Sequence, residues 1–126
     1  MSAGEVAPPH LLVADDEQQT LELLELSLQL SGFQVTTVGS GMAALACAQR
    51  QRFDLILLGA QMSPWDGLET ARQLRTLPAA PPIVLLSAAP LDEAARALVA
   101  ASLEKPFRPS QLAAVIRDTL AHRPEA

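Results

Sequence analysis

The chain has 126 residues and a mass of 13.4 kDa, the size of one ordinary domain. Apolar residues make up 49% and aromatics only 3%, so the core is expected to be sizeable and built from Leu, Val, Ile and Ala. A net charge of −5 argues against nucleic acid as the partner, because phosphate backbones are met by basic surfaces.

Residues 1–9 contain Pro8 and Pro9 and no periodic pattern, and are expected to form a loose leader. Leu11 to Ala14 is a short apolar run followed by Asp15, Asp16 and Glu17, which reads as a buried strand ending in carboxylates. Residues 17–31 place Leu21, Leu24 and Leu28 at helical spacing. Leu23, Leu26 and Leu30 are expected to widen that apolar stripe, and Gly32 to stop the helix. Residues 33–38 are β-branched and alternating, a strand with one face partly wet. A helix follows to about Arg50, then a buried strand from Asp54 to Leu58. Asp66 is placed to cap a helix from about Gly67 to Thr76. Residues 83–87 form another buried strand, 91–101 an Ala-rich helix, and 102–104 a short last strand. Ser110 is expected to cap a final helix carrying Leu112, Val115, Ile116 and Leu120.

The alternation is βαβαβαβαβα. Strands apolar throughout belong in a parallel sheet with helices on both faces, and right-handed crossovers make it doubly wound. The predicted organisation is a single domain over 10–122, with a tail at 123–126. In such a sheet, functional groups gather at the carboxyl ends of the strands. Those ends deliver Asp15 and Asp16, Gly59, Ser87, and Lys105 with Pro106 and Phe107. Two adjacent carboxylates suit a hard cation such as Mg²⁺; a lysine and a hydroxyl opposite them suit an anion. The set fits phosphoryl chemistry except at Gly59, which offers no side chain.

Here the chain resembles the receiver domain of bacterial two-component response regulators. The resemblance covers about residues 10–122. It is carried by "VADDE" at 13–17, "DLILLGAQMSPWDG" at 54–67, "PIVLLSA" at 82–88 and "EKPF" at 104–107, with a weaker match in "GMAAL" at 41–45. It implies a (βα)5, flavodoxin-like fold with strand order 2-1-3-4-5. It also implies that Asp15 and Asp16 help hold Mg²⁺, that Ser87 is at the Thr/Ser switch position, and that Lys105 is the family lysine, with a Lys105–Pro106 bond that is often cis. Several positions depart from the pattern. Gly59 stands where the family carries its phosphoacceptor aspartate. Ser63 stands where it usually has proline, and Ser102 where it usually has an aromatic switch residue. The stretch from Ser87 to Lys105 is about one helical turn (~4 residues) shorter than usual.

Of the other carboxylates, Asp15 or Asp16 could in principle be phosphorylated, but the pocket would then lose a metal ligand. Asp54 lies roughly 16 Å back along the strand at ~3.3 Å per residue, and Asp66 is accounted for as a cap. The expectation is therefore a phosphorylation-independent receiver without catalytic residues. It would act through a protein partner of a bacterial signalling pathway, and no enzyme activity is expected. With one acid fewer, Lys105 is expected to serve Asp15 and Asp16 as counter-ion. No cofactor is expected, and Mg²⁺ at most weakly. A homodimer through 91–122 is a further expectation, since Ala94, Ala95, Ala97, Ala100 and Ala101 would allow close helix approach. Two alternatives are a small-ligand sensor using a void at Gly59, framed by Asp15, Ser87 and Lys105, and an ordinary phosphoregulated receiver with a lesion at position 59. Cys47 reads as a small buried hydrophobe, and its lack of a second cysteine excludes an internal disulfide. His10 and His122 carry no expected metal or phosphotransfer role. Trp65 is a contact residue or a lid, with contact favoured. No run is long enough to span a membrane and no signal segment opens the chain; a soluble cytoplasmic protein is the expectation.

Overall fold

The structure, a computed structural model, describes residues 7–122. The tail at 123–126 and the first six residues of the expected leader lie outside that range. Ten elements alternate: β1 (His10–Ala14), α1 (Gln18–Leu30), β2 (Gln34–Val38), α2 (Gly41–Arg50), β3 (Leu55–Gly59), α3 (Gly67–Leu74), β4 (Ile83–Ser87), α4 (Glu93–Arg96), β5 (Ala101–Glu104) and α5 (Pro109–Ala121). The strands form one parallel sheet in the order β2-β1-β3-β4-β5, the topology the resemblance implies. Among the described residues no helix is long and apolar enough to cross a membrane.

Strand alternation divides the core in two. Leu11, Val13, Leu55, Leu57, Val84 and Leu86 point to one face and meet Leu21, Leu24 and Leu28 of α1 and Leu112 and Ile116 of α5. Leu12, Ala14, Ile56, Leu58, Ile83 and Leu85 point to the other and meet Ala44 of α2 and Ala71 and Leu74 of α3. The largest fully buried side chains are all Leu or Ile, as the low aromatic content requires. Each such side chain contributes about 1.5–3 kcal/mol when taken out of water.

The local stop and start signals act as their chemistry dictates. Gly32 takes φ +97° just past α1, a conformation open to glycine without a Cβ clash. The Asp66 carboxylate accepts the Glu69 backbone N–H at 2.8 Å and caps α3. Asp66→Ala is expected to cost about 1 kcal/mol, read as a lower urea midpoint with an unchanged denaturant slope.

Three expectations are corrected. The helix expected over 91–101 is a single turn, Glu93–Arg96, capped by Asp92, and Ala101 already belongs to β5, paired with Val84. Ala97 has a different tie: the Arg75 guanidinium donates to its carbonyl at 2.6 Å. The cap of α5 is Arg108, not Ser110. The Arg108 N–H donates to the Gln111 side chain at 2.7 Å, and Pro109 takes the first helical position, where its missing N–H costs nothing. Leu23, Leu26 and Leu30 do not widen the buried stripe of α1; they are 69%, 57% and 80% exposed. With Leu21, Leu24 and Leu28 already filling the sheet-facing side, the opposite side of the helix has nothing to pack on.

Candidate functional site

Strand register brings the expected residues to one edge. Ala14 pairs with Leu58, Gly59 with Leu86, and Ser87 with Glu104. The residues just beyond these pairs are therefore delivered side by side. The Lys105 backbone N–H donates to the Ser87 carbonyl at 2.8 Å, and Ala60 N–H to the Leu86 carbonyl at 2.8 Å, which carries the ladder past the strand ends. Asp54, in contrast, is at the amino end of β3, where its carboxylate accepts the His10 N–H at 2.7 Å.

Gly59 ends β3, the central strand, and is buried. A Cβ built on it would fall on Asp15 Oδ2 and lie 3.1 Å from Asp15 Cγ. The Asp15 carboxylate thus occupies the space that a side chain at position 59 would need. Asp15 is only 6% exposed, and its Oδ1 accepts the Glu17 N–H at 2.9 Å. This corrects the expected void at the Gly59 Cβ position, which is taken by the Asp15 side chain. The arrangement satisfies one carboxylate oxygen with a backbone donor and packs the other over a glycine, where no Cβ opposes it.

Ser87 is buried, and its hydroxyl donates to the Ala89 carbonyl at 2.7 Å. It is turned onto its own following loop. Lys105 is exposed, and among the described residues it makes no ion pair. The expectation that it serves as counter-ion to Asp15 and Asp16 is therefore corrected. A lysine ammonium is strongly hydrated, and a surface position keeps that hydration. Asp16 and Ser102 are exposed, and Trp65 is half-buried in the loop after β3. The Lys105–Pro106 peptide is cis, as is Ser63–Pro64.

Residues 11–117 match the family described as the response regulator receiver domain. The chain belongs to the response regulator receiver family. Among curated relatives, this receiver is 36% identical over 122 residues to the transcriptional regulatory protein PrrA of Mycobacterium tuberculosis, covering 94% of this chain and 52% of that protein. It is 34% identical over 116 residues to the alkaline phosphatase synthesis transcriptional regulatory protein PhoP of Bacillus subtilis, covering 87% and 48%. The chain spans about half the length of these relatives. Among solved structures it is similar to a CheY-like receiver domain from Methylobacillus flagellatus, with TM-score 0.83, 27% identity and coverage of 89% and 98%. It is also similar to the receiver domain of the sensor histidine kinase PA1611 of Pseudomonas aeruginosa, with TM-score 0.84, 27% identity and coverage of 91% and 99%. That PA1611 structure has a magnesium ion coordinated in its active site cleft.

The residues of this receiver do not fit Mg²⁺ as they stand. The ion asks for near-octahedral oxygen ligands. Here one carboxylate is exposed, the other is folded over Gly59 and engaged by a backbone donor, and position 59 supplies no oxygen. Among the described residues no group of three or more His, Cys, Asp or Glu is placed to hold a metal ion.

Two supports of the site lie in the quoted motifs, but the sequence reading assigned them no contact. Gly67, the first residue of α3, packs on the end of β3: a Cβ there would lie 2.5 Å from the Gly59 carbonyl oxygen and 2.9 Å from Ala60 Cα. Gly41 opens α2 against Thr70 of α3, where a Cβ would fall on the Thr70 hydroxyl. That hydroxyl donates to the Asp66 carbonyl at 2.8 Å. Gly67 lets backbone approach backbone beside the strand-end loop, and Gly41 lets the backbone of α2 approach the Thr70 side chain. Two glycines at helix starts look ordinary in sequence, because what they touch is 8 and 29 positions away.

Proposed function

We propose that this receiver signals without aspartyl phosphorylation and works as a protein-interaction module whose conformation is set by the partner it binds. One observation carries the reading: the strand-end position that faces Asp15 is Gly59, and the Asp15 carboxylate lies over it. Position 59 itself supplies no oxygen nucleophile, the Asp15 carboxylate that lies over it is engaged through Oδ1 by the Glu17 N–H, and among the described residues no group of three or more His, Cys, Asp or Glu is placed to hold a cation. Asp54 is held at the opposite end of the sheet by the His10 N–H, and Asp66 is occupied as the cap of α3, so neither substitutes. The overall charge of −5 supports a protein partner over a nucleic acid for this domain. Conformational control then rests on differential affinity of a partner for two states.

The test is direct. After incubation of the full chain with acetyl phosphate and millimolar Mg²⁺, intact-mass spectrometry is expected to show no phosphoryl adduct. Trp65 fluorescence is expected to stay constant through the same titration. A stoichiometric acid-stable or hydroxylamine-labile adduct, or a saturable change at Trp65, overturns the reading.

A further inference from the structure

Two features lie away from the strand-end site and are complementary to each other. The first is the outer side of α1. Leu23, Leu26 and Leu30 are 69%, 57% and 80% exposed and stand at i, i+3 and i+7, which lines them into one seam. Exposed Glu22 flanks that seam, Glu25 is on the same helix, and no Lys or Arg precedes Arg50 in the chain. The second is a groove of about 1330 Å³ across the amino ends of β3, β4 and β5. Leu77, Leu98, Val99 and Leu120 line it with partly exposed apolar surface over the buried Phe53 and Ile83, and Arg52 and Arg75 are at its edge. One of these is fixed in place, because Arg75 donates to the Ala97 carbonyl at 2.6 Å. Asp54 also lines the groove, but its carboxylate is already engaged by the His10 N–H.

We propose that the groove of one molecule takes the α1 leucine seam of a second copy of this chain, head to tail. Charge selects this pairing over the two symmetric ones. Seam against seam sets acids against acids, with no Lys or Arg on α1 itself and only Arg117, held at the Ser31 carbonyl, near its end. Groove against groove sets arginines against arginines. Seam in groove sets Glu22 and Glu25 near Arg52 and Arg75 and covers the leucines with apolar surface. The two faces share no residue, so each molecule keeps one face free after pairing once. The contact is heterologous, and it extends into chains or a closed ring instead of stopping at a dimer. Three leucines are far short of the ~800 Å² per partner of a standard interface, so the association is weak and strengthens at low salt. The inference is independent of whether position 59 accepts phosphate, so its failure leaves the preceding reading untouched.

Sedimentation of the full chain tests it. The weight-average mass of the wild type is expected to rise above the monomer's 13.4 kDa with concentration, over a range set by a dissociation constant of ~10 μM to ~1 mM. The rise is expected to shrink in high salt. Leu26→Asn spoils the seam and keeps the groove; Arg52→Glu spoils the groove and keeps the seam. Both positions are exposed, so both variants are expected to keep the wild-type circular dichroism spectrum. Each variant alone is expected to stay monomeric. Their equimolar mixture is expected to form a dimer and nothing larger, because it contains one good seam and one good groove. A wild type that stays monomeric at ~1 mM overturns the proposal. So does a mixture that remains monomeric while the wild type associates, or an Arg52→Glu variant that associates like the wild type.

Discussion

Gly67→Ala is expected to lower the unfolding free energy by about 2–3 kcal/mol, the upper part of the range for overpacking a filled site. The added methyl would lie 2.5 Å from the Gly59 carbonyl oxygen, 2.9 Å from Ala60 Cα and 2.6 Å from Leu85 Cδ1. Two of these three atoms are backbone of the β3 end and cannot swing away. The start of α3 has to lift, and the Gly67 N–H bond to the Ala60 carbonyl, 2.9 Å long, lifts with it. Against a typical total of about 5–15 kcal/mol, that loss is large for one methyl. Urea denaturation followed by circular dichroism measures it. Gly59→Ala is the internal control: its methyl meets the far end of the Asp15 side chain, which can rotate at the cost of its hydrogen bond to the Glu17 N–H, about 1 kcal/mol. Equal losses at the two positions would remove the distinction between a backbone wall and a movable side chain.

Gly59→Asp is expected to make stability depend on Mg²⁺. The new carboxylate needs the space that Asp15 occupies, so Asp15 has to turn outward toward Asp16. Three acids then crowd one strand end, and Lys105, which makes no ion pair among the described residues, is not in place to relieve them. Without a cation the variant is expected to lose about 1–3 kcal/mol through like-charge repulsion and the lost backbone hydrogen bond. With the third oxygen donor present, Mg²⁺ gains a set it can use. Binding to the folded state alone then restores about 1.4 kcal/mol at ten times its dissociation constant. The thermal midpoint of the variant should therefore rise with millimolar Mg²⁺, while that of the wild type stays flat. A variant that ignores Mg²⁺ would show that Asp15 and Asp16 no longer form a cation rim even when the missing acid is returned.

The tests separate along different residues. Gly67 reports on how the scaffold holds the strand end, Gly59 on what the strand end can bind, and Leu26 with Arg52 on surfaces remote from it. A receiver that fails to take phosphate and still assembles head to tail would signal by occupancy and concentration. One that takes phosphate on the native chain would return Gly59 to the status of an altered residue in a working phosphorelay.

The places where sequence reading fell short share a cause. The helix expected over 91–101 has five alanines and good propensity, yet only Glu93–Arg96 is helical. Propensity is a weak prior, and here the chain has to reach β5 by Ala101, whose pairing with Val84 is fixed by the sheet. The α1 leucines look alike in sequence, and six of them at helical spacing read as one broad apolar stripe. The sheet accepts only one side of a helix, so Leu21, Leu24 and Leu28 went in and Leu23, Leu26 and Leu30 stayed out. Lys105 was placed opposite two acids by strand order alone, which locates a backbone but not the end of a four-carbon side chain.

By itself the sequence determined the alternation of elements, the apolar strands that demand a two-faced parallel sheet, the caps at Asp66 and Gly32, and the absence of a carboxylate at position 59. All of these are local, set by periodicity of burial and by the conformational limits of single residues. Only the tertiary structure decided that Asp15 lies over Gly59, that Gly67 is a contact point between backbones, and that α1 carries a bare leucine seam. Those facts depend on which atoms distant in sequence compete for one volume, and close packing resolves that competition only once all five strands are in register.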